Sequence, residues 1–438
     1  MKRLAMTTVS ALALCSAANA DVSISDKSTQ NMSCEAGVCT ETAKKAVLNV
    51  GDLQTMLANG DATVKAGRLA KDIDIDQALT WSGNSRLTLD AQRSVIVKQQ
   101  VTVTGKGALT VTTNDGARNK DGEFVIVLQH GSVQFWDLAR KLIIDDYRYT
   151  LVGSVRTLAS DIAANPSGFY ALANPYNANA DGDYGYSPVY DDFSGTFEGL
   201  GNTIDGLRVS QLRGSIGLFA HIYGGKVRDL GLTDADVATL QNSGRAYGTG
   251  ALVGYNAGTI HNCYATGAVH ARISYVGGLV GVNPGRIDGS WAQVSVKGGA
   301  AAGGLAGYNV DQGVIAESYA TGKVNGEGGG GGGLVGLTYP GTLADTYSTG
   351  LVSSSNVIGG VIGYDQGGSL AADYWDLDTS GVTDPARGAG NIPNDPGLVG
   401  LSDAQLKSGL PDGFSSKIWG QSPNINNGYP YLLANPPQ

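Results

Sequence analysis

Apolar and polar positions in this chain change over in short runs, with no long helical stripe anywhere. Leu87-Thr-Leu-Asp90, Val101-Thr-Val-Thr104, Leu109-Thr-Val-Thr112 and Gly267-Ala-Val-His-Ala-Arg-Ile273 alternate and are broken by turn residues, the pattern of half-buried strands. In the second half the pattern becomes periodic. Gly250-Ala-Leu-Val-Gly254, Gly277-Gly-Leu-Val-Gly281, Gly303-Gly-Leu-Ala-Gly307, Gly332-Gly-Leu-Val-Gly336 and Gly359-Gly-Val-Ile-Gly363 place an aliphatic residue at Leu252, Leu279, Leu305, Leu334 and Val361, at intervals of 27, 26, 29 and 27 residues. An aromatic keeps the same interval at Tyr264, Trp291, Tyr319, Tyr347 and Tyr374. A unit of this length cannot bury its apolar face alone, so successive units must stack.

The units are dense in Gly, Thr, Val and Tyr. Glycine at this density disfavours helix by about 1 kcal/mol per residue relative to Ala, so the predicted module is a coil of short parallel strands. Rungs then lie about 4.8 Å apart and equivalent side chains form ladders. The aliphatic positions predict an inward ladder. Asn256, Asn283, Asn309, Thr338 and Asp365, four residues further on, predict a polar corner ladder. Glycine beside each aliphatic permits a sharp bend or a close approach to the next rung.

Outside the array the texture changes. Residues 46–64 predict a short amphipathic helix, with Leu53, Met56 and Leu57 on one face and Gly60 at its end, suited to capping a solenoid. Val155–Ile162 predicts a second helix, ended at Asn165-Pro-Ser-Gly168 and followed by a strand at Phe169–Leu172; it is either a side excursion or an internal junction. After Tyr374 the period stops. The tail holds a predicted helix at Ser402–Lys407 and apolar anchors Phe414, Ile418, Trp419, Tyr429, Tyr431 and Leu432, as a cap over an open strand edge would need. The expected organisation is a signal peptide over 1–20, a polar segment with a cysteine pair over 21–45, an N-terminal β-helix region with its capping helix over 46–190, the repeat array over 191–376, and a C-terminal cap over 377–438.

Lys2 and Arg3 before the apolar run Leu4–Ala17, then Ala18-Asn19-Ala20, predict export with cleavage after Ala20. A lipoprotein reading would use Cys15, but Leu14 is bulky where a small residue is expected. No later stretch predicts a membrane-spanning helix. The net charge of -9 and the absence of a basic stripe argue against nucleic acid or an anionic membrane as partner. Cys34 and Cys39 predict a small disulfide loop, with metal binding as the alternative, and Cys263 predicts a buried thiol.

On these residues the chain resembles GLUG-motif repeat proteins and, through segments such as Leu48-Asn-Val-Gly-Asp-Leu-Gln54 and Gly195-Thr-Phe-Glu-Gly-Leu-Gly-Asn-Thr-Ile204, exported adhesins of the filamentous haemagglutinin type. The resemblance implies a right-handed parallel β-helix displayed at the cell surface or released. Only Asn165-Pro-Ser-Gly168 and Asn174-Pro-Tyr-Asn177 approach the Asn-Pro motifs of two-partner secretion, so it does not imply a dedicated outer-membrane transporter.

Candidate chemistry is sparse. Asp191 with Asp192, Asp234 with Asp236, and Asp373 with Asp376 are the carboxylate pairs a glycoside hydrolase could use, and each also reads as turn residues. His130, His221, His261 and His270 lack metal-ligand spacing, and Gly328–Gly333 has no lysine for a phosphate loop and reads as a flexible loop between rungs. Asn177-Ala-Asn-Ala-Asp-Gly-Asp183 alternates oxygen ligands as calcium loops do, but Pro188 stands where the closing Glu belongs; a plain polar loop is the other reading. The sequence reading therefore assigns no catalytic, cofactor or metal residue and takes the chain to be no enzyme. It expects an adhesin-like scaffold that binds surface glycans or proteins of a host or neighbouring cell. The alternative is a polysaccharide lyase or hydrolase on the same coil.

Overall fold

The computed structural model describes residues 21–115, 122–239 and 247–437; the predicted signal peptide lies outside them. The chain coils into a β-solenoid of about 14 turns, arranged as two stacks. In the first, Ala62–Ala66, Asp72–Ile75 and Leu79–Trp81 form one turn, and the next two repeat it in parallel register: Val64, Leu89 and Val111 stack, as do Ile73, Val95 and Phe124, and Leu79, Val101 and Val133. Helix α1, Val50–Asn59, lies at the start of this stack. The Asn49 side chain caps it by accepting from the Gly51 and Asp52 amides, and Leu53 and Leu57 are buried beneath it. The helix is shorter than the predicted 46–64, because Ala46–Asn49 joins a sheet against Asp21–Ser25 and Ala62–Ala66 opens the first rung.

The chain then reverses. Leu142–Ile144 pairs antiparallel with Tyr147–Val152 through Asp145 and Asp146, both left-handed (φ 48° and 68°), the conformation of a tight hairpin turn. Helix α2, Val155–Ala164, follows; its Ser154 cap accepts from the Thr157 amide, and Val155, Leu158 and Ile162 are buried in the second core. Each stack thus begins with a strand, a ten-residue helix and a return strand, and the predicted second helix marks the junction.

In the second stack the register is continuous. Phe197, Val227, Ile260, Ile287, Ile315, Leu343 and Leu370 form one inward ladder across successive rungs. The predicted aliphatic ladder is a second: Leu252, Leu279, Leu305, Leu334 and Val361 are fully buried in one core, and each of the first four donates its amide to the carbonyl of the next, at 2.9–3.0 Å. The motif glycines answer to close approach. A Cβ at Gly277, Gly303, Gly332 or Gly359 would lie 2.0, 2.1, 1.9 or 1.8 Å from the carbonyl oxygen three residues further on. The polar ladder is buried too: Asn256 Nδ2 donates to Asn283 Oδ1 and Asn283 Nδ2 to Asn309 Oδ1, each at 2.8 Å. Gly330–Gly332, expected as part of a flexible loop, is a strand between Ala301–Gly303 and Ile358–Gly359; of its three glycines only Gly332 is one where backbone leaves no room for a Cβ.

The periodic aromatics lie outside this core, on one flank. Tyr264, Trp291, Tyr319 and Tyr347 stack nearly parallel, with neighbouring centroids 4.6, 5.9 and 4.9 Å apart, an arrangement that adds about 0.5–1.5 kcal/mol per pair to their burial. The tail covers them. Residues 377–401 add one coil at the end of the stack, with Leu398 opposite Asp373, and residues 403–437 then run back along the flank as a strap. Phe414, Trp419 and Tyr429 pack onto the aromatics; Tyr347 donates to the Pro430 carbonyl, Trp291 to that of Asn435 and Tyr374 to that of Asp412. The open edge of the first stack meets the same flank: Val133 donates to Leu200, Phe135 to Ala173, Arg228 to Phe124 and Asn262 to Ile126. Its last strands are thereby covered.

The cysteine alternatives resolve as a Cys34–Cys39 disulfide across the hairpin Met32–Glu35/Val38–Glu41, and Cys263 is a buried free thiol whose pKa burial raises. No helix among the described residues is long and apolar enough to cross a membrane.

Candidate functional site

Val253 and Asn256 are buried, while Tyr255, the residue after the motif, is half-buried and reaches the lateral face. Register places His221 beside Tyr255, then Val282, Tyr308, Leu337 and Tyr364, one per rung, on the lateral face. The rung spacing of about 4.8 Å sets Tyr255, Tyr308 and Tyr364 about 9.6 Å apart, on alternate rungs. Tyr223 and Tyr339, 46% and 52% exposed, border the row. Rings meet within it: Tyr223 and Tyr255 at 5.5 Å, Tyr275 and Tyr308 at 4.7 Å. Partial burial raises the Tyr255 and Tyr308 pKa values, with Asp311 and neighbouring phenols adding to it, so the hydroxyls stay protonated and can donate. Asp311 is exposed on a turn of left-handed residues inserted into Ala306–Ala316.

At the His221 end the row opens into a cleft of 420 Å³ lined by Ala163 in the last turn of α2, Pro166 just beyond it, and Tyr190, Asp191, Asp192 and His221. His221 Nδ1 lies 3.2 Å from Asp192 Oδ1. Burial lowers the His221 pKa while Asp192 opposes the shift, so the imidazole is neutral at pH 7. Of the candidate carboxylate pairs, only Asp191 and Asp192 line this cleft. Asp234 occupies a left-handed turn, and Asp236 meets Arg208 at 3.4 Å on the surface. Asp373 and Asp376 are buried: Asp373 accepts from Thr346 and the Ala371 amide, with burial pushing its pKa up to about 7, and Asp376 accepts from Tyr429 of the strap.

The other histidines are dispersed. His261 pairs with Asp288 at 3.0 Å, where the carboxylate outweighs burial and raises its pKa, and His130 and His270 are exposed elsewhere. In the Asn177–Asp183 loop the Asp181 carboxylate already accepts from Tyr176, Tyr184 and Arg156, and Asn177 accepts from the Asn179 amide. Among the described residues no three His, Cys, Asp or Glu side chains converge as metal ligands would. Sequence reasoning missed the tyrosine row, although its signal was present: Tyr255, Val282, Tyr308, Leu337 and Tyr364 recur at the motif's own period.

Comparison with known proteins bears on these features. The GLUG motif family matches residues 245–269 and 298–325. The chain carries GLUG-motif repeats. The match stops at the motif and does not extend to filamentous haemagglutinins. No curated protein matches the chain. A crystal structure from Bacteroides ovatus, provisionally named an immunoglobulin A1 protease, shares 18% identity at a TM-score of 0.48, over 66% of this chain and 93% of that chain. Its name corrects one expectation: a solenoid similar to this one is called a protease, so the sequence's exclusion of enzymes is withdrawn. The likeness itself carries no activity across to this chain. Motif and coil together fit an extracellular β-helix protein.

Proposed function

We propose that this protein is exported and binds ligands on host or neighbouring-cell surfaces through the lateral face of its second stack. The tyrosine row carries the reading: half-buried and exposed rings aligned in register form a lateral patch of the kind that marks an interaction site. Export is supported by Lys2, Arg3 and the apolar run behind them. Cell binding of the purified mature protein, compared with a Tyr255→Ser/Tyr308→Ser/Tyr364→Ser variant, tests the reading. Loss of binding with an unchanged far-UV spectrum supports it, and equal binding by both proteins refutes it.

The second reading, a carbohydrate-active enzyme on the same coil, is favoured by the cleft that gathers Asp191, Asp192 and His221. Release of oligosaccharides from a polymer, abolished by Asp192→Asn, would establish it. A screen across neutral and acidic polymers that yields no product removes it.

A further inference from the structure

The row has a period, a polarity and an end, and together these select a ligand class. Six rungs, from His221 to Tyr364, run in register, with tyrosine on three alternate ones. The row therefore spans about 24 Å at about 4.8 Å per rung. In an extended β-1,4-linked polysaccharide each ring is flipped relative to the last, so the same apolar face recurs at every second ring, and that two-ring repeat is close in length to two rungs. Sugar faces stack on aromatic rings, and the phenol hydroxyls beside them can hydrogen-bond to ring hydroxyls. On the intervening rungs Val282 is buried and Leu337 half-buried, which leaves lower ground between the tyrosines for the flipped rings.

Charge narrows the class. None of the six row residues is Lys or Arg, the exposed Asp311 is near enough to act on both Tyr255 and Tyr308, and Asp191 and Asp192 flank the end. A polyanion would be repelled along this line, whereas carboxylates accept hydrogen bonds from neutral hydroxyls.

Resting on the lateral-face reading above, we propose that the row binds a neutral, extended β-linked polysaccharide laid along the solenoid axis, one ring per rung, with a chain end entering the cleft at His221. The experiment uses the mature protein with β-1,4-linked neutral oligosaccharides of two to eight rings, measured by titration calorimetry, beside pectin, alginate and a helical α-glucan. Affinity is expected to rise with length and level off near roughly six rings, one for each rung of about 4.8 Å. Binding should fall by roughly a hundredfold in the triple tyrosine variant, each lost ring contributing about a factor of five, and polyanions should bind more weakly. No binding of neutral chains, or tighter binding of pectin or alginate, overturns the ligand class. If cell binding still depends on the three tyrosines, the lateral-face reading survives that failure; if it does not, both fall. A concentration-dependent dimer that the triple variant abolishes also overturns the proposal, because the occupant would then be a second copy of this chain.

Discussion

Replacing Asn283 by Ala removes the middle member of the buried asparagine ladder. In the native chain Asn283 accepts from Asn256 Nδ2 and donates to Asn309 Oδ1, both at 2.8 Å, in a fully buried position. Both rung-to-rung hydrogen bonds are lost, at about 0.5–1.5 kcal/mol each, together with the longer contacts of Asn283 Nδ2 to the Gly285 and Val314 carbonyls at 3.4 Å. The Asn309 oxygen loses that donor where water does not reach, and an orphaned buried polar group costs a further ~1–3 kcal/mol. Asn256 Nδ2 keeps the Arg286 carbonyl at 3.2 Å and is only partly orphaned. The expected destabilisation is about 2–6 kcal/mol, read as a shift in the urea midpoint, with the exposed Gln293→Ala of the same rung as control. A loss below about 0.5 kcal/mol, within the range of ordinary surface substitutions, would show that the asparagines do not bond from rung to rung.

Two further outcomes follow from the strap and the flank. Trp419→Ala deletes a buried ring packed 4.4 Å from Phe414 and 5.9 Å from Tyr347; a loss of about 3–5 kcal/mol is expected, with the strap freed first, so limited trypsin digestion should cut after Lys407 or Lys417 while the coil stays intact. Simultaneous loss of both would contradict the strap. Burial first, then Asp288 and Asp345, pushes the Glu317 pKa up to about 7 from 4.5. The folded state holds this proton more tightly than the unfolded chain, so the contribution is fully present below about 4.5 and is lost as pH rises through about 7. Glu317→Gln should therefore flatten the fall in Tm between those values and match the native protein at pH 4; an unchanged slope would sink the assignment.

The coil was readable because two constraints act on every rung. Leu252, Leu279, Leu305, Leu334 and Val361 must be apolar to fill the core, and Gly277, Gly303, Gly332 and Gly359 must lack a side chain because a carbonyl oxygen lies where Cβ would be. Both leave a mark in one sequence. The asparagine ladder was readable as a polar corner, but its burial was not, since the same residues suit an exposed turn. The place of Tyr264, Trp291, Tyr319, Tyr347 and Tyr374 escaped because a periodic aromatic fits an inner ladder or a covered flank equally well, and what covers it starts more than two dozen residues after the period ends. The reversal at Asp145–Asp146 has only two left-handed aspartates as its signal. The pairing of His221 with Asp192 joins residues from different rungs, which no local pattern reports.

The central claim is that successive motif units lie one rung apart in register, with the residues after the motifs in one line. Paired cysteines test it directly. Tyr255 and Val282 are opposite one another on adjacent rungs, and their Cα separation of about 4.8 Å suits a disulfide, whereas Tyr255 and Tyr308 are two rungs apart, at about 9.6 Å, beyond its reach. Under mild oxidation Tyr255→Cys/Val282→Cys should cross-link within the monomer and Tyr255→Cys/Tyr308→Cys should not. Cross-linking of the second pair, or none in the first, would contradict the coil and the tyrosine row built on it.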